Sequence, residues 1–169
     1  MARDSDLAAT LEEPGRYELR ECPFPEPAPG CVLVRMEFSG ICSTDKHTFQ
    51  GFTTQYGDRK IQFPIIQGHE NVGTIAAIGG DGRFREFEGS PLQVGDRVVV
   101  GAKVSCGQCY DCRHDFPYYC CQNTLDYGNL LSAKNPPHLF AGLLPPGVSR
   151  SRARVCSPGS SSSQLLRFR

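Results

Sequence analysis

Short apolar runs and polar–apolar alternations along the chain predict a protein built mainly of β-strands. Runs of this length, bounded by glycine and proline, are typical of strands and give no βαβ alternation. One short helix is predicted from Cys42 to Thr48, with Ser43 or Thr44 as its N-cap. The chain is therefore expected to be mainly β, a β-rich α+β fold. The predicted strands cover residues 16–21, 31–38, 72–78 and 98–100.

Composition and charge narrow the classes of function. The 169 residues fit one domain, and 18 glycines with 13 prolines indicate many turns and loops. Lys plus Arg and Asp plus Glu are both 18, so the net charge favours no nucleic acid or other polyanion. No apolar run approaches the roughly 20 residues of a membrane span, and the first residues do not form a signal peptide. We therefore expect a cytoplasmic protein with no membrane partner.

The composition changes near Leu143. From Leu144 to Arg169 the chain carries five arginines, no acidic residue and a serine run, Ser160 to Ser163. Because this stretch lacks periodicity, we predict an irregular, disordered basic tail over 144–169, following one domain over 1–143. Two alternatives stay open. The tail could be an arm for nucleic acid or membrane, or it could result from a frame or splice change.

Four cysteines in a lobe spanning about residues 104–122 have the spacing of a structural zinc site. Two-residue spacers let neighbouring thiolates converge on one ion, and four thiolates in a tetrahedron close its coordination sphere. In a reducing compartment, such cysteines hold a metal more often than they form disulfides. Cys121 follows the last of them and could replace it. The predicted ligands are Cys106, Cys109, Cys112 and Cys120.

A second, more scattered group offers mixed ligands for a zinc ion with an open coordination position. Cys42 precedes a short polar stretch, and His69 with Glu70 follows 27 residues later. Each residue alone is weak evidence, since a single histidine is more often a core or surface group. One thiolate, one imidazole and one adjacent carboxylate together match the donors of catalytic zinc.

Several motifs accompany these residues and occur in a characteristic order. Together with the four-cysteine lobe they resemble the zinc-containing medium-chain alcohol dehydrogenases, from about Leu11 to Gly142. The resemblance implies a GroES-like fold, a distorted β-barrel, for this part of the chain. The motifs are Gly40-Ile41-Cys42-Ser43-Thr44-Asp45-x-His47, Gly68-His69-Glu70-x-x-Gly73 and Gly95-Asp96-Arg97-Val98.

The resemblance also implies roles for the residues around the catalytic zinc. Cys42 and His69 would be its ligands, and Glu70 either a ligand or a carboxylate beside them. Asp45 would accept a hydrogen bond from the free nitrogen of His69 and so set its tautomer. The family's further ligand, contributed later in the chain, has no counterpart here.

Two more residues would handle the proton of the substrate. By the same resemblance, Thr44 would bond the substrate hydroxyl and His47 would pass the proton to solvent. For Thr44 a helix-capping role is the alternative, and the two roles are compatible. For His47 the alternative is an ordinary surface histidine.

The implied reaction is the oxidation of a small alcohol or polyol, with hydride transfer to NAD or NADP. The resemblance implies two zinc ions per chain. The sequence contains no Gly-x-Gly-x-x-Gly between a strand and a helix, so we do not find the Rossmann half. We therefore expect these residues by themselves to be inactive. Substrate, cofactor choice and oligomeric state stay open, and a homo-oligomer is compatible with the complete enzyme.

A non-catalytic zinc module that binds a partner protein or nucleic acid is the alternative function. The four-cysteine lobe would then be a zinc ribbon, and the tail would contact nucleic acid. Against this, Asp111 and Asp115 lie among the cysteines, where single-strand binding needs a basic groove lined with aromatic residues.

Overall fold

The computed structural model describes residues 5–52, 54–55, 59–81, 84–86, 89–102, 109–114, 128, 132–134, 151–156 and 165–167. Two short helices lie within these segments, α1 (Ser43–Phe49) and α2 (Tyr110–Arg113). Neither is long and apolar enough to cross a membrane. The strands in chain order are β1 Ser5–Glu13, β2 Arg16–Pro23, β3 Cys31–Gly40, β4 Thr54–Gln55, β5 Arg59–Lys60, β6 Ile65–Ile66, β7 Glu70–Ile78, β8 Phe84–Arg85, β9 Pro91–Leu92, β10 Arg97–Val100, β11 Ser151–Cys156 and β12 Leu165–Arg167.

Strands make up most of the described secondary structure, which confirms the prediction of a mainly β chain. All described strand pairs are antiparallel. A five-stranded sheet has the order β11-β3-β7-β10-β12, and a three-stranded sheet has the order β2-β1-β6. Two hairpins, β4-β5 and β8-β9, complete the described part of the fold. These strands form open sheets, and no closed barrel is present among the described residues.

The largest core cluster lies on one face of the five-stranded sheet. Alternate residues of β7 are buried, as expected for a strand with one face in the core. Gly73 is required there, because a Cβ at this position would overlap the backbone of Arg35 on β3. The close approach of β7 to β3 brings the ends of these two strands together. The buried side chains of the cluster are Val32, Val34, Met36, Ile75, Phe84, Leu92, Val98 and Val100.

Two smaller clusters attach the three-stranded sheet to the segment before β7. Leu11 packs with Ile61 and Ile65 in one cluster, and the other contains Ile66. The segment 132–134 closes over the same stretch, since the main-chain nitrogen of Ala133 donates to Pro64 O at 2.7 Å. The segment before β7 is therefore held by the three-stranded sheet on one side and by residues 132–134 on the other.

The structure differs from the sequence prediction in the tail. Residues 151–156 pair with β3 as β11, and residues 165–167 pair with β10 as β12, where we predicted an irregular segment. The outer edges of β3 and β10 carry backbone N–H and C=O groups that need partners, and short tail segments supply them. Cys31 is disulfide-bonded, and in the register of β11 it lies opposite Cys156. The rest of 144–169 lies outside the described residues.

Candidate metal site

The pairing of β3 with β7 determines where the site forms. Gly40, the last residue of β3, lies opposite Glu70, the first residue of β7. Cys42 follows one strand end and His69 precedes the other, so the two side chains converge. Cys42 Sγ lies 3.1 Å from His69 Nε2, so the structure brings these two predicted residues together.

Cys42 also starts helix α1. It is the N-cap residue in place of the predicted Ser43 or Thr44, and its Sγ accepts a hydrogen bond from Thr44 N at 3.2 Å. In return, Cys42 N donates to Asp45 Oδ2 at 2.9 Å, which completes a capping box. Because cysteine is not among the usual capping residues, the cap could not be located from sequence. These bonds orient the sulfur and the carboxylate from one helix turn.

Asp45 lies beside both His69 and Cys42, since its carboxylate approaches His69 Nδ1 and also accepts the hydrogen bond from Cys42 N. The residue is only 3% exposed, and its Oδ1 accepts a hydrogen bond from Gly68 N at 3.3 Å. The same oxygen lies 3.8 Å from His69 Nδ1. The imidazole thus has a thiol near Nε2 and a carboxylate near Nδ1.

Gln67 and Tyr17 complete the surroundings of Asp45, and the sequence did not single them out. Gln67 is fully buried, and its Nε2 donates to the main-chain oxygen of Asp45 at 3.2 Å. Its Oε1 accepts a hydrogen bond from the hydroxyl of Tyr17, whose ring stacks on Phe49 with centroids 5.7 Å apart. The only local signal for Gln67 is a polar residue directly after the apolar pair Ile65-Ile66.

The other predicted site residues lie around this group. Glu70 is exposed, and its carboxylate lies over Gly40, in the space that a Cβ at Gly40 would fill. Thr44 is half-buried in the first turn of α1. His47 is exposed, and its ring lies 5.3 Å from that of Phe52.

The donor atoms fit a single zinc ion. Thiolate and imidazole, which Cys42 and His69 offer, are donors that zinc uses. Ligand atoms of Cys42, His69 and Asp45 all lie within 4.8 Å of one another, and the Asp45 oxygens already accept hydrogen bonds from Cys42 N and Gly68 N. A sulfur and a nitrogen bound to one tetrahedral zinc lie about 3.5 Å apart, given the usual bond lengths. The 3.1 Å between Cys42 Sγ and His69 Nε2 therefore needs to open by only a few tenths of an ångström. Glu70 is not part of this group.

Two of the four lobe cysteines are described. Cys109 is buried, Cys112 is half-buried, and their sulfurs lie 3.4 Å apart across helix α2. Cys106, Cys120 and the adjacent Cys121 lie outside the described residues, so the four-thiolate site stays a prediction.

Both the sequence and the structure are similar to those of known proteins. Residues 28–149 match the alcohol dehydrogenase GroES-like domain. An L-threonine 3-dehydrogenase of Thermococcus kodakarensis is 36% identical over 111 residues, which are 66% of this chain and 29% of that protein. An uncharacterized zinc-type alcohol dehydrogenase-like protein of Haemophilus influenzae is 33% identical over 142 residues, covering 79% of this chain and 37% of that protein.

A solved structure shows the same fold. The alcohol dehydrogenase of Thermotoga maritima superposes with a TM-score of 0.76 at 26% identity, covering 96% of this chain and 40% of that chain. The chain thus spans well under half the length of each of these proteins.

Proposed function

Since the chain belongs to the family defined by the alcohol dehydrogenase GroES-like domain, we propose that it forms the zinc-binding catalytic part of a dehydrogenase that oxidises an alcohol or polyol. The observation that carries the proposal is the convergence of Cys42 and His69 at 3.1 Å beside the buried Asp45. The larger part of each relative lies outside the match. That part would supply the NAD or NADP site, so hydride transfer is proposed for the complete enzyme.

Cys42 Sγ and His69 Nε2 would hold the zinc ion. Asp45 would act through His69, because its carboxylate faces Nδ1 and already accepts hydrogen bonds from Cys42 N and Gly68 N. A carboxylate at that nitrogen favours the tautomer that leaves Nε2 free to bind metal. Glu70, exposed over Gly40, would serve as a nearby carboxylate or as a ligand after rotation of its side chain.

Zinc supplies Lewis-acid chemistry, which lowers the pKa of an alcohol toward neutrality. Thr44 in the first turn of α1 would orient the substrate hydroxyl and accept its hydrogen bond. His47, exposed one turn further on, would take the proton on to solvent. The four-cysteine lobe would hold a second zinc, which stabilises the lobe and takes no part in the reaction.

The metal site can be tested with Co²⁺, which gives visible absorption in mixed thiolate and imidazole sites. We expect the full chain to show thiolate-to-cobalt absorption that Cys42→Ser reduces and that Cys22→Ser, a control at a buried free thiol, leaves unchanged. In the parent chain, adding an alcohol should shift the visible bands that depend on Cys42, whereas an ether of the same size should not. Spectra that are identical in parent and Cys42→Ser would refute the metal site, and with it the proposed function.

A further inference from the structure

We propose that Gln67 and Tyr17 are positioning residues of the metal site, which hold the first turn of α1 and the loop carrying His69 at the separation one metal ion requires. The inference rests on the proposed function, because it concerns the site formed by Cys42 and His69. Neither the buried amide of Gln67 nor the phenol of Tyr17 takes part in the proposed alcohol oxidation.

The loop before β7 holds Asp45 at two points. The side chain of Gln67 donates to the main-chain oxygen of Asp45 at 3.2 Å. The main chain of the next residue, Gly68, donates to the carboxylate of Asp45 at 3.3 Å. His69 follows directly, so a shift of this loop relative to α1 changes the distance from His69 to both Cys42 and Asp45.

Burial of the Gln67 amide costs folding free energy unless its hydrogen bonds are made. It is fully buried and follows two buried isoleucines, Ile65 and Ile66, where an apolar side chain would pack without any polar requirement. A buried amide without partners destabilises the fold, whereas one with partners makes the geometry specific. Since the carbonyl of Asp45 and the hydroxyl of Tyr17 satisfy both ends of the amide, Gln67 selects this one arrangement of loop and helix.

Tyr17 extends the network to the three-stranded sheet. Its ring is 40% exposed and stacks on Phe49 at the end of α1, while its hydroxyl donates to Gln67 Oε1. Burial first, and then the charge of Asp45, raise the pKa of Tyr17 to about 12. The phenol therefore keeps its proton at neutral pH and stays a donor to Gln67. One chain of contacts thus joins β2, α1 and the loop of His69.

The test measures Co²⁺ affinity and the visible spectrum of the full chain, counting only the absorption that Cys42→Ser removes. Gln67→Met keeps the size of the side chain and removes both hydrogen bonds. We expect it to weaken Co²⁺ binding about 10-fold and to shift the visible bands. This is the lower end of the range seen when direct partners of metal ligands are lost, because Gln67 acts one step further out, through Asp45 and the loop of His69. Tyr17→Phe keeps the ring stacking and removes one hydroxyl, so it should act in the same direction with a smaller effect.

Thr74→Val is the matched control. It removes a partly buried hydrogen bond, in which the hydroxyl of Thr74 on β7 donates to Glu37 on β3 at 2.5 Å, away from the site. Its Co²⁺ affinity and spectrum should equal those of the parent. If Gln67→Met does not fold, the Co²⁺ affinity and the spectrum of Tyr17→Phe alone test the inference. Unchanged affinity and unchanged bands in the folded variants overturn the inference while leaving the proposed function intact. A parent chain with no Cys42-dependent absorption overturns both.

Discussion

The two groups of cysteines in this chain are built in different ways. Cys42 stands at the junction of a paired strand end and a helix that buries Asp45 and Thr48. Cys112 lies in helix α2, which is four residues long and has no buried residue within Tyr110–Arg113, and Cys109 is the buried N-cap residue of this helix. The first group is thus positioned by the core of the protein. Of the second group, the described residues 109–114 contain one buried side chain, that of Cys109.

If both groups bind zinc, as proposed, we expect the metal to contribute differently to the fold around each. Around Cys42, hydrogen bonds to Asp45 and the pairing of Gly40 with Glu70 hold the ligands together. A site held in this way would bind metal with little rearrangement. A loop that lacks a core of its own instead gains its fold from the binding free energy of the ion. The two sites should therefore respond in opposite ways when metal is removed.

Chelation gives the largest expected effect. Removing metal should unfold the lobe at about residues 104–122, because structural zinc contributes roughly 10 kcal/mol or more in small metal-dependent folds. The five-stranded sheet should persist, since none of the side chains in its apolar core is a predicted metal ligand. Limited proteolysis followed by mass spectrometry would locate the first cuts. Cuts that appear first at residues 40–70, or none after chelation, would remove the proposed contrast between the two sites.

The next largest effect is expected from Asp45→Asn. The amide keeps the size of the side chain but loses the charge that faces His69 Nδ1 at 3.8 Å. We expect metal affinity at the Cys42 site to fall about 10- to 100-fold, with no change in the four-cysteine lobe. Competition titration with a coloured chelator would resolve the two sites. A loss of affinity at the lobe of the same size would show that the variant acts through general destabilisation.

The smallest effect concerns Tyr17 at high pH. Its pKa of about 12 lies above the usual value near 10, so the folded state favours the neutral phenol. This contribution to stability is complete below about pH 10 and is lost as pH rises toward 12. The free energy of unfolding, measured with urea across that range, should fall more steeply in the parent than in Tyr17→Phe. Tyr110→Phe, at an exposed ring, should follow the parent.

Much of the fold could be predicted because its strands carry local signals. β3, β7 and β10 are apolar runs between glycines, and their predicted positions agree with the structure within two residues. β1 has a weaker alternation and was not predicted, although Gly15, with a φ of 81°, forms its turn into β2. The tail strands β11 and β12 depend on the free edges of β3 and β10, which no local pattern reveals.

The same limit applies to the site. Cys42 and His69 were found because their motifs are distinctive, and the pairing of β3 with β7 explains why residues 27 apart meet. Gln67 and Tyr17 are 50 residues apart and lack a motif, so their contact becomes visible only in three dimensions. A buried polar residue within an apolar run is the one signal that could have pointed to Gln67.

The central claim is most directly tested by counting zinc per folded chain in the parent, in His69→Ala and in Cys109→Ser. We expect two zinc ions in the parent and one in each variant, with the sheet intact in both. Co²⁺ added to Cys109→Ser should still show the absorption that depends on Cys42. Equal zinc content in parent and His69→Ala would contradict the assignment of Cys42 and His69 as metal ligands.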